Sequence, residues 1–245
     1  MKFYKSINLN GIKVLSFDLD NNIYDCQSVL TSAEKWFSEY LTDRYNLMPF
    51  CNEYSFWAKI KKDLLLQEPR LEDDVTLLRA KSLVIAFESL KQPLKGGLEE
   101  AKDLVLEFIK KRSAGSVSIE VVQMLEKLKQ KYRMISVSNG NLDPRILKID
   151  HLFEYDLRPK MGVFKCKPHS DLFDECSRLA NVPPCEILHI GDDPYTDVYG
   201  AVSAGFNCAW LYKGYTGISN DEKYLKVLPH VQLDNILELD SLLQK

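Results

Sequence analysis

The sequence predicts an α/β protein: a parallel sheet with helices on both faces, and a helical insert placed after the first strand. Three observations carry this. Four short apolar runs, residues 12–17, 134–137, 187–190 and 208–211, have the length of buried parallel strands rather than of helices. Helical patterns separate the later runs, the alternation of a βαβ chain whose sheet is covered on both sides. Residues 28–111 show helical patterns and no convincing strand.

Each element follows from local signals. The first run ends in Phe17-Asp18-Leu19-Asp20. Side chains two apart on an extended chain point the same way, so Asp18 and Asp20 leave one strand end toward one site. Two carboxylates there repel each other and are costly to bury without a cation. Helices follow at residues 28–45, 54–66, 71–90 and 97–111, with turn signals at Met48-Pro49, Glu68-Pro69, Gln92-Pro93 and Gly96-Gly97. Ligands of open α/β sheets bind beyond the carboxyl ends of the strands. An insert that starts from that edge is therefore expected to act as a lid. Its aromatic residues Trp36, Phe37, Tyr40, Tyr45, Phe56 and Trp57 are expected to be core, and Arg70 and Arg79 solvated surface.

Beyond the insert, the helix at 119–132 places Ile119, Val122, Leu125 and Leu128 on one stripe. Shorter helices are expected at 170–179 and 197–204. Residues 230–243 read as a final edge strand, Val231-Gln232-Leu233, and a closing helix. The expected division is a core of residues 1–24 and 112–245 and a helical unit of residues 25–111.

Composition bounds the function. The chain has 245 residues, ample for a sizeable core. A net charge of −3 argues against a nucleic-acid surface. No apolar run reaches the roughly 20 residues of a membrane span, and residues 1–11 lack the apolar core of a signal peptide. Cys26, Cys51, Cys166, Cys176, Cys185 and Cys208 contain no Cys-x-x-Cys pair. They are expected to be reduced packing residues of a cytoplasmic protein.

The strand ends carry the chemistry. After 134–137 comes Ser138-Asn139-Gly140-Asn141, which can offer hydroxyl and backbone donors to an anion or form an ordinary turn. Lys167 precedes Pro168, which biases it to an extended backbone. It is either a fixed charge in the site or a surface lysine. After 187–190 comes Gly191-Asp192-Asp193-Pro194-Tyr195-Thr196-Asp197. Asp192 and Asp193 sit at the strand end, and Asp197 either enters the site or caps the next helix. Converging carboxylates with one lysine leave excess negative charge, which suits Mg²⁺, a hard cation with oxygen ligands. Asp18 can attack phosphorus. Asp20 can protonate the leaving oxygen and then activate water.

The order Asp-x-Asp, Ser-Asn-Gly, Lys-Pro and Gly-Asp-Asp-x-x-x-Asp resembles the haloacid dehalogenase-like hydrolase superfamily. The resemblance implies a Rossmann-like core and, from the place of the insert, a helical C1 cap. Carried over by position, Asp18 is the nucleophile and Asp20 the general acid/base, giving its main-chain carbonyl to Mg²⁺. Ser138 and Asn139 bind the substrate phosphate, and Lys167 steadies nucleophile and phosphate. Asp192 holds the metal, with Asp193 and Asp197 as further candidates. The presence of Asp20 favours a phosphatase over a dehalogenase. A nearer likeness, in Phe17–Asp25, Ser138–Asn141, Glu186–Asp193 and Leu228-Pro229-His230, is to bacterial flavin-pathway phosphatases, which act on 5-amino-6-(5-phospho-D-ribitylamino)uracil and FMN. It implies a small-molecule phosphate as partner. Pyrimidine 5′-nucleotidase, sugar phosphatase and a weakly active ligand-binding protein are the alternatives. Asn22 stands where the family usually has Thr or Val, a departure that bears on the geometry of Asp20.

Overall fold

The computed structural model describes residues 1–48, 53–214 and 225–244. The strands are β1 (Lys2–Phe3), β2 (Val14–Phe17), β3 (Arg133–Val137), β4 (Tyr155–Leu157), β5 (Ile187–Gly191), β6 (Asn207–Leu211) and β7 (Val231–Leu233). They form one sheet in the order β1-β7-β6-β5-β2-β3-β4. All neighbours are parallel except β1 and β7. The four apolar runs all become strands of this sheet. β4 escapes the sequence because two of its three residues are exposed, so no apolar run marks it. β7 is not the edge strand expected: the two-residue β1 pairs outside it.

The chain winds from β2 through β3 to β4, then returns past β2 to β5, β6 and β7. Winding reverses at β2, which opens a crevice beyond its carboxyl end. Phe17 lies level with Ser136 on one side and Ile190 on the other. Asp18, Ser138 and Asp192 therefore leave three adjacent strands at nearly one height.

Alternation along the buried strands serves both faces. Leu15 and Phe17 point into a core with Val121, Leu125, Leu239 and Leu242, from α5 (Ile119–Lys129) and α8 (Glu238–Leu243). Val14, Ile135 and Trp210 point the other way, against Leu172 and Phe173 of α6 (Asp171–Ala180). The expected helix at 197–204 is instead a π-helical turn, Pro194–Tyr199, running into the short α7 (Gly200–Ser203). Its first turn is set by the Asp193 carboxylate, which accepts from the main-chain N–H groups of Tyr195 and Thr196.

The insert contains α1 (Cys26–Tyr45), α2 (Tyr54–Gln67), α3 (Val75–Ser89) and α4 (Gly97–Arg112). Helix α1 starts at Cys26 because Asp25 accepts from the Ser28 N–H at 3.1 Å. The expected helix at 71–90 is divided: Pro69–Asp73 form a 3₁₀ turn, and Asp74 caps α3 by accepting from the Leu77 N–H at 2.8 Å. The Met48-Pro49 turn and Cys51 extend beyond the described residues. Phe37, Trp57, Phe87 and Phe108 form the centre of the insert, with Trp36, Tyr40, Tyr45 and Phe56 packed around them. The aromatic residues are core, as their spacing predicts. Arg79 is not solvated surface. It forks onto Glu34, with Nη1 at 2.9 Å, and its guanidinium lies 3.7 Å from the Phe108 ring centre. Arg70 is exposed. Among the described residues, no helix is long and apolar enough to cross a membrane.

Phe108 is 1% exposed and joins Phe37 to the Arg79–Glu34 pair. Phe108→Ala is expected to destabilise the protein by about 3–5 kcal/mol, read from urea unfolding. A loss under about 1 kcal/mol would mean that the site collapses around the smaller side chain.

Candidate active site

Asp18, Asp20, Ser138, Lys167, Asp192 and Thr196 line one cleft of about 240 Å³ beyond the strand ends. Its floor is a buried charge cluster. The Lys167 ammonium, 2% exposed, lies 2.9 Å from Asp18 Oδ1 and 2.6 Å from Asp197 Oδ1. The surface-lysine reading is thereby excluded, and so is Asp197 as a helix cap. Asn139 holds the lysine in place through its backbone. Its side-chain amide donates to the Lys167 carbonyl at 2.9 Å, and its side-chain oxygen accepts from the Lys167 N–H at 2.8 Å.

Behind Asp197 stands His189, buried on β5, with Nε2 3.1 Å from Asp197 Oδ1 and Nδ1 2.9 Å from Ser16 Oγ. An ionised carboxylate only accepts, so Nε2 carries the proton and Nδ1 accepts from Ser16. Burial, with Lys167 nearby, lowers the His189 pKa and keeps the ring neutral. Ser16 is fully buried within the sheet. Serine, histidine and aspartate here form a support for Lys167 rather than a nucleophile with its base. Gly191 makes room for it: a Cβ there would stand 2.3 Å from Asp197 Cγ.

Electrostatics separate the carboxylates. Burial opposes ionisation of Asp197, but Lys167 and His189 hold it far below the usual carboxylate range. Burial pulls Lys167 down, and the two carboxylates more than restore it. Asp18 is pushed up to about 6 by burial and by the charges of Asp197 and Asp20, with Lys167 opposing. Asp192 is pushed up to about 8 by burial and by the charges of Asp197 and Asp18. Both shifts come first from burial, and the neighbouring carboxylate charges add to it. Oxygen atoms of Asp18, Asp192 and Asp197 lie within 4.8 Å of one another. A hard divalent cation fits this donor set. Asp197 is the least free of the three, because its other oxygen accepts from the Asp193 N–H at 3.0 Å. Asp193 lies outside the cluster and spends its carboxylate on the helix cap. Asn21, with φ +54°, donates to Asp192 Oδ2 at 2.8 Å.

Asp20 faces a different set of partners. Its Oδ1 accepts from the Tyr24 hydroxyl and, at 2.8 Å, from Arg112 Nη2. Burial raises its pKa, but Arg112 and Tyr24 outweigh this and lower it. Its Oδ2 lies over Gly140, where a Cβ would stand 2.1 Å away. Asn22 does not disturb this carboxylate. Its amide donates to the Asp18 carbonyl at 2.9 Å and to the Ile190 carbonyl at 3.1 Å, joining the ends of β2 and β5. Thr or Val could not make both bonds.

Ser138 is fully buried, and its Oγ accepts from the Gly140 N–H at 3.4 Å. Arg158 steadies the same loop through the carbonyls of Gly140, at 2.6 Å, and Leu142, at 3.2 Å. The insert reaches the site at Asp73, whose Oδ1 accepts from the Cys166 N–H at 2.8 Å, and at Thr76, 3.3 Å from Asn141. Arg112, Tyr24, His189 and Asp73 were not singled out from the sequence. The partners of Arg112, His189 and Asp73 lie on other elements, and nothing in the sequence marks the contact between Asp20 and Tyr24, four residues apart.

A family model described as haloacid dehalogenase-like hydrolase matches residues 12–205. The chain is 29% identical over 245 residues to 5-amino-6-(5-phospho-D-ribitylamino)uracil phosphatase YigB of Escherichia coli, covering 99% of this chain and 100% of that one. It is 26% identical over 242 residues to glyceraldehyde 3-phosphate phosphatase of Pyrococcus furiosus, covering 94% of each. A solved 2-haloacid dehalogenase from Pseudomonas syringae pv. Tomato DC3000 superposes with a TM-score of 0.82 and 26% identity, covering 95% of this chain and 98% of that one.

The raised Asp18 and Asp192 fix the sign of a pH effect. A carboxyl whose folded pKa exceeds its unfolded value, near 4, favours the fold below that value and loses this contribution as pH rises through the folded pKa. The metal-free fold therefore loses stability between about pH 4 and pH 8. A divalent cation held by these carboxylates would relieve that loss. At a hundredfold excess over Kd it adds about 2.7 kcal/mol, roughly 5–10 °C in Tm. Melting with Mg²⁺ and with EDTA is expected to show a larger difference at pH 8 than at pH 5. Equal differences contradict binding at these carboxylates.

Proposed function

This chain belongs to the haloacid dehalogenase-like hydrolase family, and we propose that it is a Mg²⁺-dependent phosphomonoesterase acting through an aspartyl-phosphate on Asp18. One observation carries the reading. A buried carboxylate held by a lysine shares a cleft with a second carboxylate, Asp20, which keeps one oxygen free for proton transfer.

Asp18 Oδ attacks phosphorus, a bond forms between them, and the bond from phosphorus to the ester oxygen breaks. Asp20 Oδ2 takes up a proton as the substrate binds, from the phosphate monoanion or from solvent, and gives that proton to the ester oxygen as it leaves. Water then attacks the phosphorus of the aspartyl-phosphate, its proton passes to Asp20, and Asp18 is released with inorganic phosphate. Arg112 keeps Asp20 ionised in the substrate-free cleft, which suits the second, basic half. Lys167 and the Ser138 hydroxyl offer donors to the phosphoryl oxygens. The Asn139 side chain serves Lys167, so its share in phosphate binding falls to its N–H. Asp18, Asp192 and the main-chain oxygen of Asp20 would hold Mg²⁺, which supplies positive charge to the phosphoryl group when bound. The insert, residues 25–111, acts as a lid on the core and excludes water on closing. Its contacts at Asp73 and Thr76 support this.

The 29% identity to the Escherichia coli phosphatase over the whole chain supports a flavin-pathway phosphate, 5-amino-6-(5-phospho-D-ribitylamino)uracil or FMN, as substrate. The similarity to a glyceraldehyde 3-phosphate phosphatase keeps sugar phosphates as the second class, with pyrimidine nucleotides beside them. The unpaired state of Cys26, Cys166, Cys176, Cys185 and Cys208 supports a cytoplasmic location. A dehalogenase reading has the superposition in its favour. Against it stand Asp20 and Asp192, which displacement of a halide does not need.

Phosphate release from FMN, 5-amino-6-(5-phospho-D-ribitylamino)uracil, UMP and sugar phosphates, with Mg²⁺ and with EDTA, tests the reading. Turnover is expected to need the metal and to fall by roughly 10⁴-fold or more in Asp18→Asn. Halide release from 2-chloropropionate without phosphate release would replace this reading with the dehalogenase one.

A further inference from the structure

We propose that Arg112 is a positioning residue for Asp20, and that with Tyr24 it fixes which oxygen of that carboxylate meets the leaving group. This rests on the phosphatase reading above. Arg112 is the last residue of α4, where the insert returns to the core, and its side chain is 5% exposed. Its guanidinium serves several acceptors at once. Nη2 lies 2.8 Å from Asp20 Oδ1 and 3.0 Å from the Tyr24 hydroxyl, and Nη1 lies 2.7 Å from Asn141 Oδ1. Tyr24 is on the other linker, where the chain leaves the core for the insert, and its hydroxyl donates to the same Asp20 oxygen.

Both linkers therefore meet on Oδ1. Oδ2 accepts no hydrogen bond from the described residues and turns toward Gly140 and the cleft. A carboxylate with one oxygen clamped by two donors cannot rotate to present the other face. The proton-carrying atom is thus chosen by residues that do not line the cleft. Asn141 extends the clamp into the insert, since its amide reaches Thr76 Oγ1 at 3.3 Å on α3. A planar fork is needed to span these acceptors, which a lysine ammonium does only in part.

Leaving-group dependence isolates this role. p-Nitrophenyl phosphate loses a phenolate that needs no proton, whereas glycerol phosphate loses an alkoxide that does. General acid catalysis contributes about 10²–10⁴-fold. Arg112→Gln is expected to lower the ratio of kcat on glycerol phosphate to kcat on p-nitrophenyl phosphate by roughly tenfold or more, within that range. Arg112→Lys is expected to restore part of the ratio, and Tyr24→Phe to lower it by a smaller factor. Equal losses on both esters, or no loss, overturn the proposal, because a merely structural arginine does not distinguish leaving groups. If the Arg112 variants do not fold, as judged by circular dichroism, Tyr24→Phe decides alone by the same ratio. A wild-type protein inactive on both esters and on the panel above overturns the phosphatase reading and this inference with it. Wild-type activity with an unchanged ratio in the variants overturns only the inference.

Discussion

A buried ammonium stays charged only if anions surround it, and the cleft is organised around meeting that condition for Lys167. Two carboxylates contact its Nζ, Asp18 from the end of β2 and Asp197 from the π-helical turn after β5. Removing one partner of such a buried pair typically costs about 3–5 kcal/mol, because the remaining charge has nothing to offset it. The neighbours follow from this. His189 and Ser16 fix Asp197, Gly191 leaves space for it, and Asn139 fixes the backbone of Lys167. Asn22 fixes the strand ends that carry Asp18 and Gly191 relative to each other.

Charge balance then divides the labour. Burial, with the charges of neighbouring carboxylates added to it, makes Asp18 and Asp192 resist ionisation, whereas Lys167 and His189 keep Asp197 ionised. Asp20 lies two residues from Asp18 and its charge reaches that carboxylate, yet its own ionisation is governed by Arg112 and Tyr24. Two carboxylates at one strand end thereby meet different surroundings, and Asp20 is the more readily ionised of the two in the substrate-free cleft. The separation depends on the insert, since both linkers converge on Asp20 Oδ1.

Much of this was legible in the sequence, for identifiable reasons. The apolar runs marked β2, β3, β5 and β6 because central parallel strands are buried on both faces. β1 and β4 were not legible, being short and exposed. The strand-end carboxylates stood out because polar groups interrupt apolar runs there. The roles of Asp193 and Asp197 were not separable by spacing. Only the structure shows the first capping the turn and the second meeting Lys167. Arg112 left no trace, since its partner Asp20 is 92 residues away and its own helix reads as an ordinary amphipathic one. Asn22 read as a disturbance to the acid/base, whereas its contacts show a brace between strands.

The central claim is that Asp18 attacks phosphorus. Rapid mixing with a ³²P-labelled phosphomonoester, acid quenching within a single turnover and peptide mapping test it directly. The account predicts a transient label on the peptide containing Asp18, released by hydroxylamine as an acyl phosphate must be. Release of phosphate in that turnover with no labelled protein, or with label on another peptide, would contradict it.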